Sequence, residues 1–295
     1  MTKKILLIGC NGQLGWECQR TLACQGELTC LDYPQIDLRH PQGLAGLVQT
    51  LRPDLIINSA AYTAVDKAEV ESEAAYAINA EAPGVLAQAA REVQAALIHF
   101  STDYVFDGNK GKEYLEGDSS HPLNVYGKSK LAGEEQVLAA GGAALILRTS
   151  WVYSMRGNSS FVSKALAWSH QQEVVKVVTD QIASPTWARL LAEITAQLVG
   201  QAGEDAFDWI GQRAGLYHLA GSGSASRFDV ARLAIELDPQ KATQVCKSLQ
   251  GALTSDFPTP AQRPLFTGLD CSLFKQTFNM QLPPWQSALK LALEK

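Results

Sequence analysis

The stretch KILLIGCNGQLGWE, residues 4–17, decides how the rest of the chain is read. An apolar run, KILLI (4–8), leads straight into a turn carrying Gly9, Gly12 and Gly15, and the turn opens a stretch of helical length at 13–25. Glycine lets a backbone turn tightly and approach a pyrophosphate, whose charge is favoured at a helix N-terminus. Three glycines at intervals of three also serve ordinary turns. Directly after a first strand and before a helix they point to dinucleotide binding.

Working outward, the same rhythm repeats. ELTCL (27–31), DLIIN (54–58), ALIHF (96–100) and ALILR (144–148) read as buried strands, with helical stretches at 41–52, 71–93 and 124–140 between them. Strands alternating with helices build βαβ units and a parallel sheet, and continuously apolar strands have both faces covered. The expected fold is α/β, a Rossmann-type doubly wound parallel sheet over residues 1–150. After Ser150 the rhythm loosens, with a helix expected at 160–170, a strand at 173–178, a helix at 187–199 and a short strand at 216–220. Residues 151–295 are expected to form mainly a smaller substrate lobe, with an approximate boundary that allows interleaving. The second strand ends at Asp32, twenty positions after Gly12. An acidic group there can bond the adenosine ribose hydroxyls and repel a 2′-phosphate; in LDYP it can equally be a turn residue.

Composition narrows the function. The 295 residues carry a net charge of −5 and no Lys/Arg block, so there is no basic face for nucleic acid or an anionic membrane, and neither is an expected partner. The six cysteines show no C-x-x-C pair or metal-ligand spacing, which favours small buried hydrophobes in a reduced compartment. The apolar run in MTKKILLIG is too short for a signal peptide, and no stretch reaches the roughly 18 apolar residues of a membrane span. A cytoplasmic protein is expected.

The chemistry is carried by NVYGKSK (124–130), where Tyr126 and Lys130 lie four positions apart and so on one side of a helix. A free phenol has a pKa of about 10, too high for acid–base work at neutral pH. An ammonium nearby is expected to lower it. Tyr-x-x-x-Lys together with this glycine spacing resembles the extended short-chain dehydrogenases/reductases. That resemblance implies a Ser or Thr at the end of the fourth strand, where HFSTDYVFDG (99–108) supplies Ser101 and Thr102.

Longer motifs narrow the likeness. NSAAYTAVDKAE (58–69), STDYVFDG (101–108), PLNVYGKSKLAGE (122–134), RTSWVY (148–153), DQIASPT (180–186) and TPAQRP (259–264) resemble the dTDP-4-dehydrorhamnose reductase family, over about residues 4 to 270. The resemblance implies a catalytic trio of Thr102, Tyr126 and Lys130. It implies a pyrophosphate turn at Gly12, Gln13 and Leu14, an adenine-side pair at Asp37 and Leu38, and a cofactor loop at Ala61, Tyr62 and Thr63. Thr102, Asp103, Trp151 and Arg263 fall where the family holds its nucleotide-sugar. Taken singly, Trp151 reads as core and Arg263 as a surface charge; the motifs move both to the substrate. NADPH or NADH is the implied cofactor, and a monomer or homodimer the expected assembly.

Three positions depart from the family pattern: Ser160 where Asn usually precedes Phe161, Ala183 in place of a glycine, and Arg189. Some members share a magnesium ion through acidic groups at a dimer contact. Glu17 matches one of these, but Arg189 puts a cation where a ligand is wanted, so no metal is expected. Two alternatives remain on this fold: a nucleotide-sugar epimerase or dehydratase, and a non-catalytic regulatory subunit similar to that of methionine adenosyltransferase. Epimerases and dehydratases need further acids or bases beside the trio, and Tyr104, not Glu, follows Asp103.

Overall fold

The computed structural model describes residues 2–157 and 160–294. The first five strands are β1 (Lys4–Ile8), β2 (Glu27–Leu31), β3 (Leu55–Asn58), β4 (Ala96–Thr102) and β5 (Ala144–Thr149). They pair in parallel in the order 2-1-3-4-5, and the strand Gly215–His218 adds in parallel to the edge of β5. The expected parallel α/β sheet is therefore present. Its order reverses between β1 and β3, where a crevice opens outside the strand carboxyl ends.

Helices α1 (Gln13–Thr21), α2 (Leu44–Leu51), α3 (Val65–Ala68), α4 (Ser72–Tyr76), α5 (Ala82–Glu92) and α6 (Val125–Ala140) belong to the first half. They are followed by α7 (Phe161–Gln171), α8 (Ala188–Gln201), α9 (Ala206–Gly211) and α10 (Arg227–Glu236). Alternation along β1 sorts the core into two layers, because successive strand side chains point to opposite faces. Ile5 and Leu7 pack with Leu14 and Cys18 of α1 and Leu191 and Leu198 of α8. Leu6 and Ile8 pack with Val48 of α2, Leu86 of α5 and Val137 of α6.

Chain after residue 150 thus supplies both a sheet strand and a covering helix. It also builds a separate cluster around Tyr153, Val162, Val230, Trp285 and Leu289. The strand Val174–Val178 pairs with Ser248–Ala252, a partner the sequence did not announce.

Three expectations need correction. The helix expected over 13–25 stops at Thr21 and gives way to a turn. The helix expected over 71–93 is interrupted by a π-helical turn, Ala77–Glu81. There Asn79 leaves the regular face and bonds Tyr62 and Ser129, a tertiary demand that periodicity does not report. The cysteines are not uniformly buried: Cys10, Cys18 and Cys271 are, but Cys24 is exposed. Among the described residues no helix is long and apolar enough to cross a membrane.

Candidate active site

The glycine turn is built for close approach. Gly9 has φ +84, and a Cβ there would lie 2.5 Å from Ala60 N; a Cβ on Gly15 would run into Gly9 O. Those two glycines let β1, α1 and the loop after β3 meet. Gly12 has no such neighbour, its nearest being Gly9 O at 3.4 Å, so its bareness leaves open space at the start of α1. No side chain caps α1, and its first N–H groups have no intrahelical acceptor. Leu14 is buried in the core, which leaves its backbone N–H for a ligand, and Gln13 Oε1 is buried without a partner. The open N–H groups and the space at Gly12 fit a dinucleotide pyrophosphate, whereas the Gln13 oxygen, an acceptor, calls for a donor.

Beyond β2 a cavity of about 450 Å³ is lined by Asp32, Asp37, Leu38, Arg39, Ala61 and Ile78 among others. Asp32 accepts from Asn11 N and Tyr33 N, both at 2.8 Å, so it shapes the turn and faces the cavity at once. Asp37 is bonded by Arg39 (Nη2–Oδ2 2.6 Å), which holds its carboxyl down to about 2. Arg39 belongs to no motif, and the sequence reading passed over it. In the loop after β3, Tyr62 donates to Glu71 (2.5 Å) and is held through its backbone by Asn79; Thr63 is exposed.

The trio stands at the carboxyl end of β4 and the start of α6. Asn124 caps α6 by accepting from Gly127 N (2.8 Å), and its amide donates to Gln262 O (2.8 Å). The helix that carries Tyr126 is thereby tied to the segment that carries Arg263. Gly127 lets α6 sit against Tyr104, because a Cβ would strike Tyr104 O. The phenol of Tyr126 lies beside Thr102, and burial, helped by the nearby Asp103 charge, pushes its pKa far above the ordinary value.

Lys130 does not act on that phenol in this state. Its ammonium donates to Phe100 O at 2.7 Å and lies 3.4 Å from His99 Nε2; burial brings it down to about 8. Desolvation of the tyrosine, not the lysine charge, is what shifts it.

Thr102 Oγ1 donates to Asp103 Oδ1 (3.2 Å) and accepts from Tyr104 N (3.2 Å). Asp103 is buried, bonded by Ser150 (2.9 Å) and Thr267 (2.5 Å), and burial raises it to about 6. Trp151 has φ +42, a backbone state bulky residues rarely adopt, and sits half-buried at the rim of the second core cluster. Arg263 pairs with Asp66 (2.6 Å).

Beneath the trio, Arg148 and Glu134 form a buried double bond pair (2.9 and 2.6 Å) that fastens β5 to α6, with Ser101 as a third member. His99, Asn79, Glu134, Arg148 and Arg227 all escaped the sequence reading, since each meets its partners across long separations.

The departures are accommodated locally. Ser160 caps α7 by accepting from Ser163 N (3.1 Å), a task Asn would also perform. Ala183 is buried in a short antiparallel pair with Ala225. Arg189 lies 3.4 Å from the Glu17 carboxylate and 2.8 Å from Glu193, so its cation stands against the group a magnesium ion would need.

Known proteins resemble this chain along nearly its whole length. The family described as RmlD substrate binding domain matches residues 3–295. The dTDP-4-dehydrorhamnose reductase of Escherichia coli K12 is 43% identical over 98% of this chain and 96% of its own length. A solved dTDP-4-dehydrorhamnose reductase from Clostridium acetobutylicum superimposes with a TM-score of 0.88 at 33% identity, covering 98% of both chains. One from Bacillus anthracis, solved in complex with NADP, gives 0.88 at 32% identity, over 99% of this chain and 98% of that one. Family match and identity both run nearly end to end, so the chain belongs to the dTDP-4-dehydrorhamnose reductase family.

Proposed function

We propose that this chain reduces the C4 keto group of dTDP-4-dehydro-6-deoxy-L-mannose (dTDP-4-dehydrorhamnose) to give dTDP-L-rhamnose, with NADPH or NADH as reductant. The observation that carries the reading is the placement of the Tyr126 phenol beside Thr102 at the carboxyl edge of β4, on the same sheet edge as an uncapped, glycine-opened helix. Family membership along the whole chain supports the same reaction.

A bound NAD(P)H would supply the hydride to the carbonyl carbon, and the chain's own groups handle the oxygen. Tyr126 is held protonated by burial, the state a proton donor needs, and releases its Oη proton to the alkoxide oxygen as that charge develops. Thr102, positioned by Asp103 and Tyr104 N, turns its one hydroxyl proton from Asp103 Oδ1 to the same oxygen as the charge develops. Lys130, anchored on Phe100 O, keeps a positive charge near the cofactor ribose and supports return of a proton to Tyr126. Asp103, Trp151 and Arg263 line the substrate side, so residues 151–295 act mainly as the lobe that receives the nucleotide-sugar. The protein would work in the cytoplasm, as a monomer or homodimer.

Purified protein mixed with the keto-sugar nucleotide should consume NADH or NADPH and release the 6-deoxy sugar nucleotide in equal amount. An epimerase or dehydratase would leave reduced cofactor unconsumed. A regulatory subunit would bind cofactor without turnover.

A further inference from the structure

A second guanidinium stands beside the substrate groups, and no motif points to it. Arg227 opens α10, directly after the short strand pair in which Ser226 meets Ile182. Its backbone N–H donates to Gln181 O (3.1 Å). Its Cζ lies 3.6 Å from the centroid of the Trp151 ring and 4.6 Å from that of Phe161. The Tyr104 hydroxyl is close by, and Asp103 and Arg263 are near enough for their charges to be felt. Tyr104 in turn meets Tyr126 edge-on, with ring centroids 5.7 Å apart. Arg227 therefore sits one side chain away from the proton donor.

Several costs converge on this one side chain. A cation in the first turn of a helix opposes the helix dipole. Burial lowers its pKa to about 10, still high enough to keep the charge at neutral pH. The Trp151 ring it stacks on is held by a left-handed backbone. Yet among the described residues no carboxylate pairs with Arg227, whereas Arg148 and Arg263 each have one and Arg189 has two. Asp103 does not serve, because its oxygens are taken by the hydroxyls of Thr102, Ser150 and Thr267. Two guanidiniums thus lie within electrostatic reach of each other with a single paired counter-charge, that of Asp66. Such an arrangement is relieved by a multiply charged anion, and a planar guanidinium fork matches phosphate oxygens.

We infer that Arg227, stacked on Trp151, is a substrate-binding residue that clamps the diphosphate of a nucleoside diphosphate sugar together with Arg263. This deepens, and rests on, the reading of the site given above. It assigns recognition of the diphosphate to both walls of the cleft, one arginine from the α10 side and one from the 259–264 segment.

The test is calorimetric titration of thymidine, dTMP and dTDP into wild type, Arg227→Gln and Arg227→Lys. NAD(P)H affinity on the same preparations shows that each variant is folded. Loss of a charged hydrogen-bond partner should weaken dTDP binding by about tenfold or more in Arg227→Gln, leave thymidine within about twofold, and put Arg227→Lys between. KM for the keto-sugar nucleotide should rise with the dTDP constant. Equal weakening of thymidine and dTDP, or an unchanged dTDP constant, overturns the assignment. Wild type that binds dTDP through Arg227 yet reduces no keto-sugar would overturn the functional reading and leave this one standing. Turnover with an unmoved KM in Arg227→Gln would do the reverse.

Discussion

At the carboxyl edge of β4 and β5, Lys130 is 1% exposed and its ammonium is held by Phe100 O. Beyond β2, the Arg39 side chain is 52% exposed and its partner Asp37 faces solvent beside an open cavity. The site is buried at one end and open to solvent at the other. Proton transfer needs donors fixed to within tenths of an ångström and a low dielectric that shifts their pKa values. Holding an adenosine needs only shape and a few contacts, so that end tolerates exposed charges worth little each. The contrast teaches where substitution should be costly.

The largest effect should come from Tyr126→Phe. Removing the hydroxyl keeps the ring's volume, so the fold and NAD(P)H affinity should persist while kcat drops by about 10²- to 10⁴-fold, the range for a lost general acid. Lys130→Met should lose activity and weaken NAD(P)H binding together. Stopped-flow or steady-state rates with fluorescence-measured cofactor affinity separate the two. A Tyr126→Phe enzyme with more than about a tenth of wild-type kcat would remove the tyrosine from the role of donor.

Next in size is the support beneath the trio. Arg148→Met leaves the Glu134 carboxylate buried and unpaired, which should cost about 3–5 kcal/mol in urea unfolding. Replacing Glu134 with Gln as well should restore a large part of that loss. A single variant as stable as wild type would mean the pair does not fasten α6 to the sheet, and the contrast between the two ends would lose its structural half.

A smaller, pH-dependent effect tests burial at the sheet edge. His218 bonds Tyr114 O and Asp270 O, and burial lowers it from 6.5 to about 3. Between those values the unfolded chain takes up a proton that the folded chain refuses, so stability should fall as pH drops below about 6.5. Unfolding midpoints measured from pH 7 down to 4 should decline less steeply in His218→Gln than in wild type. Parallel slopes would show that some other group sets the acid limb.

The smallest difference is expected at the exposed end. Asp32 opposes a 2′-phosphate while Arg39 can meet one, so NADH should be used at least comparably to NADPH. Preference for NADPH in kcat/KM by more than about a hundredfold, some 2.7 kcal/mol, would show that Arg39 outweighs Asp32.

What could be read from the sequence is what local spacing encodes. Strand runs, the glycine turn and the four-residue step from Tyr126 to Lys130 each involve neighbours along the chain, so periodicity and turn chemistry reveal them. The parallel sheet follows from alternation, and the strands landed within a residue or two of their expected ends. Spacing could place Tyr126 and Lys130 on one helix, but the state of the phenol depends on what buries it. The seat of the strand Gly215–His218 beside β5, the turn that aims Asn79 at Tyr62, the bond between Arg148 and Glu134, and the stacking of Arg227 on Trp151 were decided only by tertiary structure. Each joins residues well separated along the chain, and their meeting is fixed by which faces must be buried together, a quantity that no local window of sequence contains.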